Sequence, residues 1–124
     1  MQEMDFFTED VNEYIFSQPI NFSLDGNIYE CKTWVELIDE ICYLLKLRDS
    51  TLMKSFLKDE QKRKQRIAYI ANNAQDIHFV KHLEKSDLYL NQKIDAPRSV
   101  KLLRLLLKKY NIRDEFSLKT MRTK

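Results

Sequence analysis

The stretch Asp95-Ala-Pro-Arg-Ser-Val-Lys-Leu-Leu-Arg-Leu-Leu-Leu-Lys-Lys-Tyr-Asn-Ile112 predicts one helix whose two ends are both specified by the sequence. Asp95 can accept hydrogen bonds from the free amides of the first turn, and Pro97 falls where a missing N–H costs little. Asn111 can adopt the left-handed conformation that ends a helix, which lets Ile112 fold back on the last turn. The apolar side chains recur every three or four residues and predict one buried face: Val100, Leu103, Leu106, Leu107 and Tyr110.

The cations of this helix fall on the side opposite the apolar face, where we expect water to reach them: Arg98, Lys101, Arg104 and Lys108. Leu102 and Leu105 widen the apolar face. The width favours contact with a sheet on one side and with a second helix on the other. The helix is therefore expected to organise the core of the fold.

Local signals along the rest of the chain predict an α+β fold. Asp25-Gly26 lies between two short alternating runs and predicts a hairpin over Phe22–Cys31. Thr33 and Glu36 form a capping box that opens a helix ending near Leu47. A shorter helix follows, then strands near 67–70, 87–94 and 115–121, whereas 77–83 fits neither period. The predicted architecture is a short mixed or antiparallel sheet with two main amphipathic helices packed on one face.

The length of 124 residues is that of one domain. We predict that residues 21–124 form a single α+β domain and that residues 1–20 form an N-terminal arm or short helix. Thr8 is the expected cap of that short helix, and Pro19 its expected end.

Composition argues against several classes of protein. No apolar run reaches the roughly 20 residues that span a bilayer, and the acidic start lacks the basic residues of a signal peptide. We therefore expect a cytoplasmic protein without a membrane partner. Cys31 and Cys42 have no C-x-x-C spacing, which favours buried free thiols over a disulfide or a metal pair.

Charge is distributed unevenly along the chain. Residues 1–40 contain ten acidic residues and one basic residue, whereas residues 41–124 contain twenty basic and nine acidic residues. Such asymmetry is typical of a protein with a basic binding face. It is equally compatible with internal neutralisation of the basic part by the acidic N-terminal third.

Motifs for catalysis are weak. Glu30-Cys-Lys32 and Glu60-Gln-Lys62 match half of a metal-dependent nuclease site, but Asp25 is committed to a turn and the second copy lies in a charged run. His78 and His82 have helical spacing without the further ligands that zinc requires, so surface histidines are the simpler interpretation. One glycine in the chain argues against a phosphate-binding loop. We expect no enzyme activity, catalytic residue, metal or cofactor.

Several segments carry a resemblance to a family: Phe22-Ser-Leu-Asp-Gly-Asn-Ile-Tyr29, Lys32-Thr-Trp-Val-Glu-Leu37, Tyr69 with the turn at Asn73, Ser86-Asp-Leu-Tyr-Leu-Asn91 and Leu107-Lys-Lys-Tyr-Asn-Ile112. From Phe22 onward the chain resembles a small bacterial α+β accessory domain found at the C-terminus of restriction, helicase-like and phage-defence proteins. The resemblance implies a recognition module without catalytic residues. Glu84 and Asp87 stand where that family usually has glycine, so this turn is expected to differ.

Basic residues interleaved with tyrosines supply the candidate binding site. Its members are Lys62, Arg63, Lys64, Arg66, Tyr69, Tyr89, Arg98, Lys101, Arg104 and Lys108. The cations would position phosphates and the tyrosines would stack on bases, which predicts binding of nucleic acid or a nucleoprotein complex. Solvation of helix exteriors explains the same lysines equally simply.

Two further hypotheses concern protein partners. A small chain rich in both charges is typical of a protein-directed inhibitor, such as an anti-CRISPR protein that binds a host defence protein. A homodimerising scaffold would use the flank formed by Leu102 and Leu105.

Overall fold

The computed structural model describes residues 5–63 and 68–123. In chain order, these residues form a 3-10 helix Val11–Tyr14, β1 Ser17–Leu24, β2 Asn27–Glu30, α1 Trp34–Arg48, α2 Ser50–Arg63, β3 Ile70–Ala71, a 3-10 helix Ala74–Asp76, β4 Val80–Leu83, β5 Leu88–Asn91, α3 Ala96–Lys109 and β6 Phe116–Arg122. The predicted α+β class is confirmed.

Two compact units divide the described part of the chain. The terminal unit lies within residues 1–38 and 95–124, and the central unit lies within residues 39–94. The prediction of a single domain over 21–124 stays a prediction. Its boundary at residue 20 falls inside β1, because this strand already begins at Ser17.

The sheet of the terminal unit has the order β2-β1-β6 and is antiparallel throughout. The predicted hairpin is confirmed: Leu24 pairs with Asn27, and Asp25 and Gly26 take φ angles of +53° and +84° between them. These positive angles are what a two-residue hairpin turn requires. On the other side of β1, Phe22 pairs with Leu118, so the closing strand completes the sheet.

Aromatic side chains form much of the interior of the terminal unit. The ring centre of Phe6 lies 5.0 Å from that of Phe116, and Phe116 lies 6.0 Å from Phe22. Tyr14 makes an edge contact with Trp34 at 5.9 Å. Aromatic side chains of segment 5–14 therefore pack within the terminal unit.

The helix predicted after Thr8 is replaced by one 3-10 turn. The Asp10 carboxylate accepts a hydrogen bond from the Asn12 amide at 2.9 Å and caps this turn. Pro19 lies within β1 and does not end a helix. Tyr14, the last residue of this turn, is buried.

Both predicted ends of α3 are confirmed. The Asp95 carboxylate accepts a hydrogen bond from the Arg98 amide at 2.8 Å. Asn111 has a φ of +56°, and the Ile112 amide donates to the Leu107 carbonyl at 2.9 Å. The residues predicted to be buried are buried: Val100, Leu103, Leu106, Leu107 and Tyr110.

The central unit has a second antiparallel sheet, of order β3-β5-β4. The ambiguous stretch 77–83 contains β4, in which His82 pairs with Tyr89 of β5. Asp87 takes a φ of +58° in the turn before β5, a conformation that glycine adopts without strain. The strands thus form two small sheets, whereas the sequence predicted one. Two sheets result because the strands of each unit pair only with strands of the same unit.

Asp39 of α1 holds the turn that joins β4 to β5. Its carboxylate accepts hydrogen bonds from the amides of Ser86 at 2.9 Å and Lys85 at 3.2 Å. Lys46, two turns further along α1, donates to the Ser86 carbonyl at 2.9 Å. The helix therefore satisfies three of the turn's backbone groups with two side chains.

Replacing Asp39 by alanine should lower the free energy of unfolding by about 1–3 kcal/mol, because two amide donors lose their acceptor. Urea denaturation measures the change. Glu40→Gln is the matched control: it weakens only the 2.6 Å pair with the exposed Lys85, which solvent screens. Equal losses in the two variants would contradict the role assigned to Asp39.

Candidate nucleic-acid interface

The predicted site residues are divided between the two units. Arg98, Lys101, Arg104 and Lys108 belong to the terminal unit, and Lys62, Arg63, Tyr69 and Tyr89 belong to the central unit. Lys64 and Arg66 lie outside the described residues, as does the side chain of Arg63.

Arg104 does not stand in water as the helical spacing predicted. Its Nε donates to the Phe6 carbonyl at 2.6 Å, and its Nη2 donates to the Glu9 carbonyl. Its guanidinium carbon lies 5.8 Å from the centre of the Phe6 ring. Arg104 thus binds the N-terminal segment to α3 and is removed from the candidate phosphate contacts.

The other cations of α3 are exposed but differ in their contacts. Nη1 of Arg98 forms a 2.6 Å ion pair with the Asp95 carboxylate. Within the described chain, Lys101 and Lys108 have neither a hydrogen-bond nor an ion-pair partner. The cations of α3 that remain exposed are therefore two unpaired lysines and one paired arginine.

The charges of the terminal unit nearly cancel. Its two segments contain eleven acidic and ten basic residues, a net charge of −1. Asp5 lies 3.6 Å from Arg113, and hydrogen bonding from the Phe7 amide, with Thr8 and Arg113 nearby, lowers the pKa of the Asp5 carboxyl. Within this unit, internal neutralisation is the better interpretation of the uneven charge.

The apolar flank proposed as a homodimer interface exposes less area than the sequence predicted. Leu102 is buried, and Leu105 is 37% exposed. One partly exposed leucine offers far less apolar area than a stable interface needs.

The central unit has an excess of positive charge, and α2 presents part of it as a row. Its residues include eleven basic and eight acidic side chains, a net charge of +3. Lys54, Lys58 and Lys62 recur every four residues, so they lie on one face of α2 about 6 Å apart along the axis. All three are exposed, and none has a hydrogen-bond or ion-pair partner within the described chain. We call these residues the lysine row.

The opposite face of α2 is buried through Met53, Phe56, Leu57 and Glu60. The predicted site included only Lys62 of this row. Helix α2 continues past Lys58 and Lys62 and ends at Arg63. The four-residue spacing from Lys54 was the signal that could have identified the row.

The two tyrosines expected to stack on bases are both half-buried. Tyr89 packs against the buried cluster of Ala68, Ala71 and Ile77, and its ring centre is 5.0 Å from that of His82. Tyr69 is half-buried, and its carbonyl accepts a hydrogen bond from the Asn91 amide at 2.8 Å. Of the predicted site residues whose side chains the structure describes in this unit, Lys62 is the one that is exposed.

The residues considered for metal or nuclease chemistry do not converge. His82 lies in β4, not on a helix, and its Nε2 is 2.7 Å from the Asp87 carboxylate, a hydrogen bond that lowers the pKa of Asp87. Glu60 is buried in α2 whereas Lys62 is exposed. Among the residues that the structure describes, no three His, Cys, Asp or Glu side chains are grouped closely enough to hold a metal ion.

Comparison with protein-family models, curated proteins and solved structures finds no match. The fold and the lysine row describe this chain as an α+β protein with a basic helix face. Because no comparison matches, the family resemblance stays a prediction. Across residues 5–63 and 68–123, no helix has the length and apolar character needed to cross a membrane.

Proposed function

We propose that this protein is a non-enzymatic recognition module that binds nucleic acid, or a nucleoprotein complex, through the phosphate backbone. The lysine row of Lys54, Lys58 and Lys62 on α2 is the observation that carries the proposal. A bacterial or phage defence or counter-defence system is the setting that the resemblance of segments 22–29 and 86–91 implies.

Lysine ammonium groups act as mobile point charges and lack the planar fork with which arginine recognises a base or a phosphate in two places. A row of them attracts phosphates and releases condensed counterions without reading sequence. We therefore expect binding that depends strongly on salt and weakly on sequence. The excess charge of the central unit, +3 against −1 in the terminal unit, favours α2 over α3 as the contact.

Replacing Lys54, Lys58 and Lys62 together by glutamine should weaken binding to a labelled random-sequence duplex at low salt. The negative slope of log K against log salt should become less steep by about 2–3, since each lost phosphate contact removes roughly 0.7–0.9 from its magnitude. Fluorescence anisotropy across a salt series measures both quantities. Circular dichroism checks that the variant remains folded, which is expected because all three side chains are exposed.

The matched control replaces Lys101, Lys108 and Lys119 by glutamine. These exposed lysines belong to the terminal unit, and the change in net charge is the same. The control should retain the salt slope of the unaltered protein. Equal losses in both variants, or loss in the control alone, would show that the lysine row is not the interface.

A further inference from the structure

An open groove of about 590 Å³ lies between the first 3-10 helix and the first turns of α3, within the terminal unit. This volume is in the range of about 300–1000 Å³ that ligand sites occupy. Its apolar lining includes Val11, Ile15, Phe16 and Pro97, and its cations are Arg98 and Lys101. The groove thus combines an apolar wall with positive charge at one end of α3.

Phe16 is held in an unfavourable backbone conformation at the edge of this groove. Its φ is +59°, in the left-handed region that bulky residues rarely adopt, and its side chain is 58% exposed. The Phe16 carbonyl accepts hydrogen bonds from the amide of Thr123 at 2.7 Å and from its hydroxyl at 2.9 Å, which fix this conformation. Such strain is concentrated at functional positions. Ile15 beside it is 40% exposed.

The uncompensated charge in the groove is positive. The Asp95 carboxylate is already engaged, because one oxygen accepts the Arg98 amide and the other pairs with the Arg98 guanidinium. The ammonium of Lys101 has no hydrogen-bond or ion-pair partner among the described residues. An occupant that presents a carboxylate to Lys101 would satisfy it.

We propose that this groove binds a peptide segment of a protein partner in which an aromatic or large aliphatic side chain is followed by carboxylates. The apolar side chain would pack against Ile15, Phe16 and Pro97, and a carboxylate would pair with Lys101. The observations favour a peptide over nucleic acid because the net charge of −1 gives this unit no long-range attraction for a polyanion.

Three blocked peptides test the proposal by titration into the full ¹⁵N-labelled chain: Gly-Phe-Glu-Glu-Gly, Gly-Gly-Glu-Glu-Gly and Gly-Phe-Lys-Lys-Gly. The first should give saturable amide shifts confined to 11–16 and 95–101, with a Kd of about 1 mM or below, as befits a short peptide. The peptides that lack the aromatic anchor or the carboxylates should bind at least about tenfold more weakly.

Variants of the protein provide the second arm of the test. Phe16→Asn removes the ring but tolerates the left-handed φ, and Lys101→Gln removes the charge. Each variant should bind the first peptide several-fold more weakly than the unaltered protein does. Lys108→Gln on the same helix and the triple variant of the lysine row should leave peptide binding unchanged, which separates this proposal from nucleic-acid binding. Absence of groove shifts at saturating peptide, equal shifts with all three peptides, or stronger groove shifts with a single-stranded oligonucleotide would overturn the proposal.

Discussion

Replacing Leu103 by alanine is expected to lower the free energy of unfolding by about 2–5 kcal/mol. Leu103 is 0% exposed and lies in the middle of the buried face of α3. Truncation removes apolar atoms from a fully buried position, and the packed surroundings close the resulting cavity only in part. Urea or guanidinium denaturation of the variant and the unaltered protein measures the difference.

Leu105→Ala is the control for this prediction. Leu105 lies two residues further along the same helix, so the substitution makes the same change in helix propensity, but its side chain is 37% exposed. We expect this substitution to lower the free energy of unfolding by about 1 kcal/mol or less. Equal losses at Leu103 and Leu105 would mean that α3 does not bury the face described above.

Replacing Arg104 by methionine is expected to lower the free energy of unfolding by about 2–4 kcal/mol. Hydrogen bonds from a charged donor contribute roughly 1.5–3 kcal/mol each, and water replaces part of the two that are lost because Arg104 is only half-buried. The variant leaves the carbonyls of Phe6 and Glu9 without their guanidinium donor. Methionine keeps much of the apolar volume of the arginine stem, so the lost hydrogen bonds should dominate the effect.

Hydrogen exchange locates this effect in the chain. The amides of Thr8 and Glu9 donate to the Asp5 carbonyl at 3.2 and 2.9 Å, and both should exchange faster when Arg104 no longer holds the segment. Lys101→Met, an exposed position on the same helix, should change neither stability nor exchange appreciably. Unaltered exchange at Thr8 and Glu9 in the Arg104 variant would contradict the anchoring role.

Elements with local end signals were predictable from the sequence. Asp95 and Asn111 specify the ends of α3, Thr33 opens α1, with its hydroxyl 3.1 Å from the Glu36 amide, and Asp25-Gly26 fixes the hairpin. Each signal acts within a few residues, so no knowledge of the tertiary structure is needed.

Strand β4 was less predictable because tertiary pairing, not pattern, defines it. Of the four residues in β4 only Leu83 is buried, so neither a two-residue nor a 3.6-residue period appears in the sequence. The strand forms because β5 offers a pairing partner across the turn that contains Asp87. The division of strands between two sheets depends on the same non-local pairing.

The availability of the candidate binding residues also depends on tertiary contacts that local sequence does not reveal. Helical spacing placed Arg104 correctly on α3, but its partners, Phe6 and Glu9, lie 98 and 95 residues away in sequence. The lysine row was readable from its spacing, whereas the exposed Phe16 depends on a φ angle that Thr123 fixes through contacts 107 residues away. Local sequence thus indicates which residues share a helix face, and tertiary contacts decide which of them remain available.

The most direct test of the proposed function maps where nucleic acid touches the full chain. A random-sequence oligonucleotide is titrated at low salt into the ¹⁵N-labelled protein, and amide shifts are followed residue by residue. We expect the shifts to concentrate on α2 between Lys54 and Lys62 and to disappear as salt is raised. Shifts centred on Lys101 and Lys108 of α3, or no shifts at low salt, would contradict binding through the lysine row.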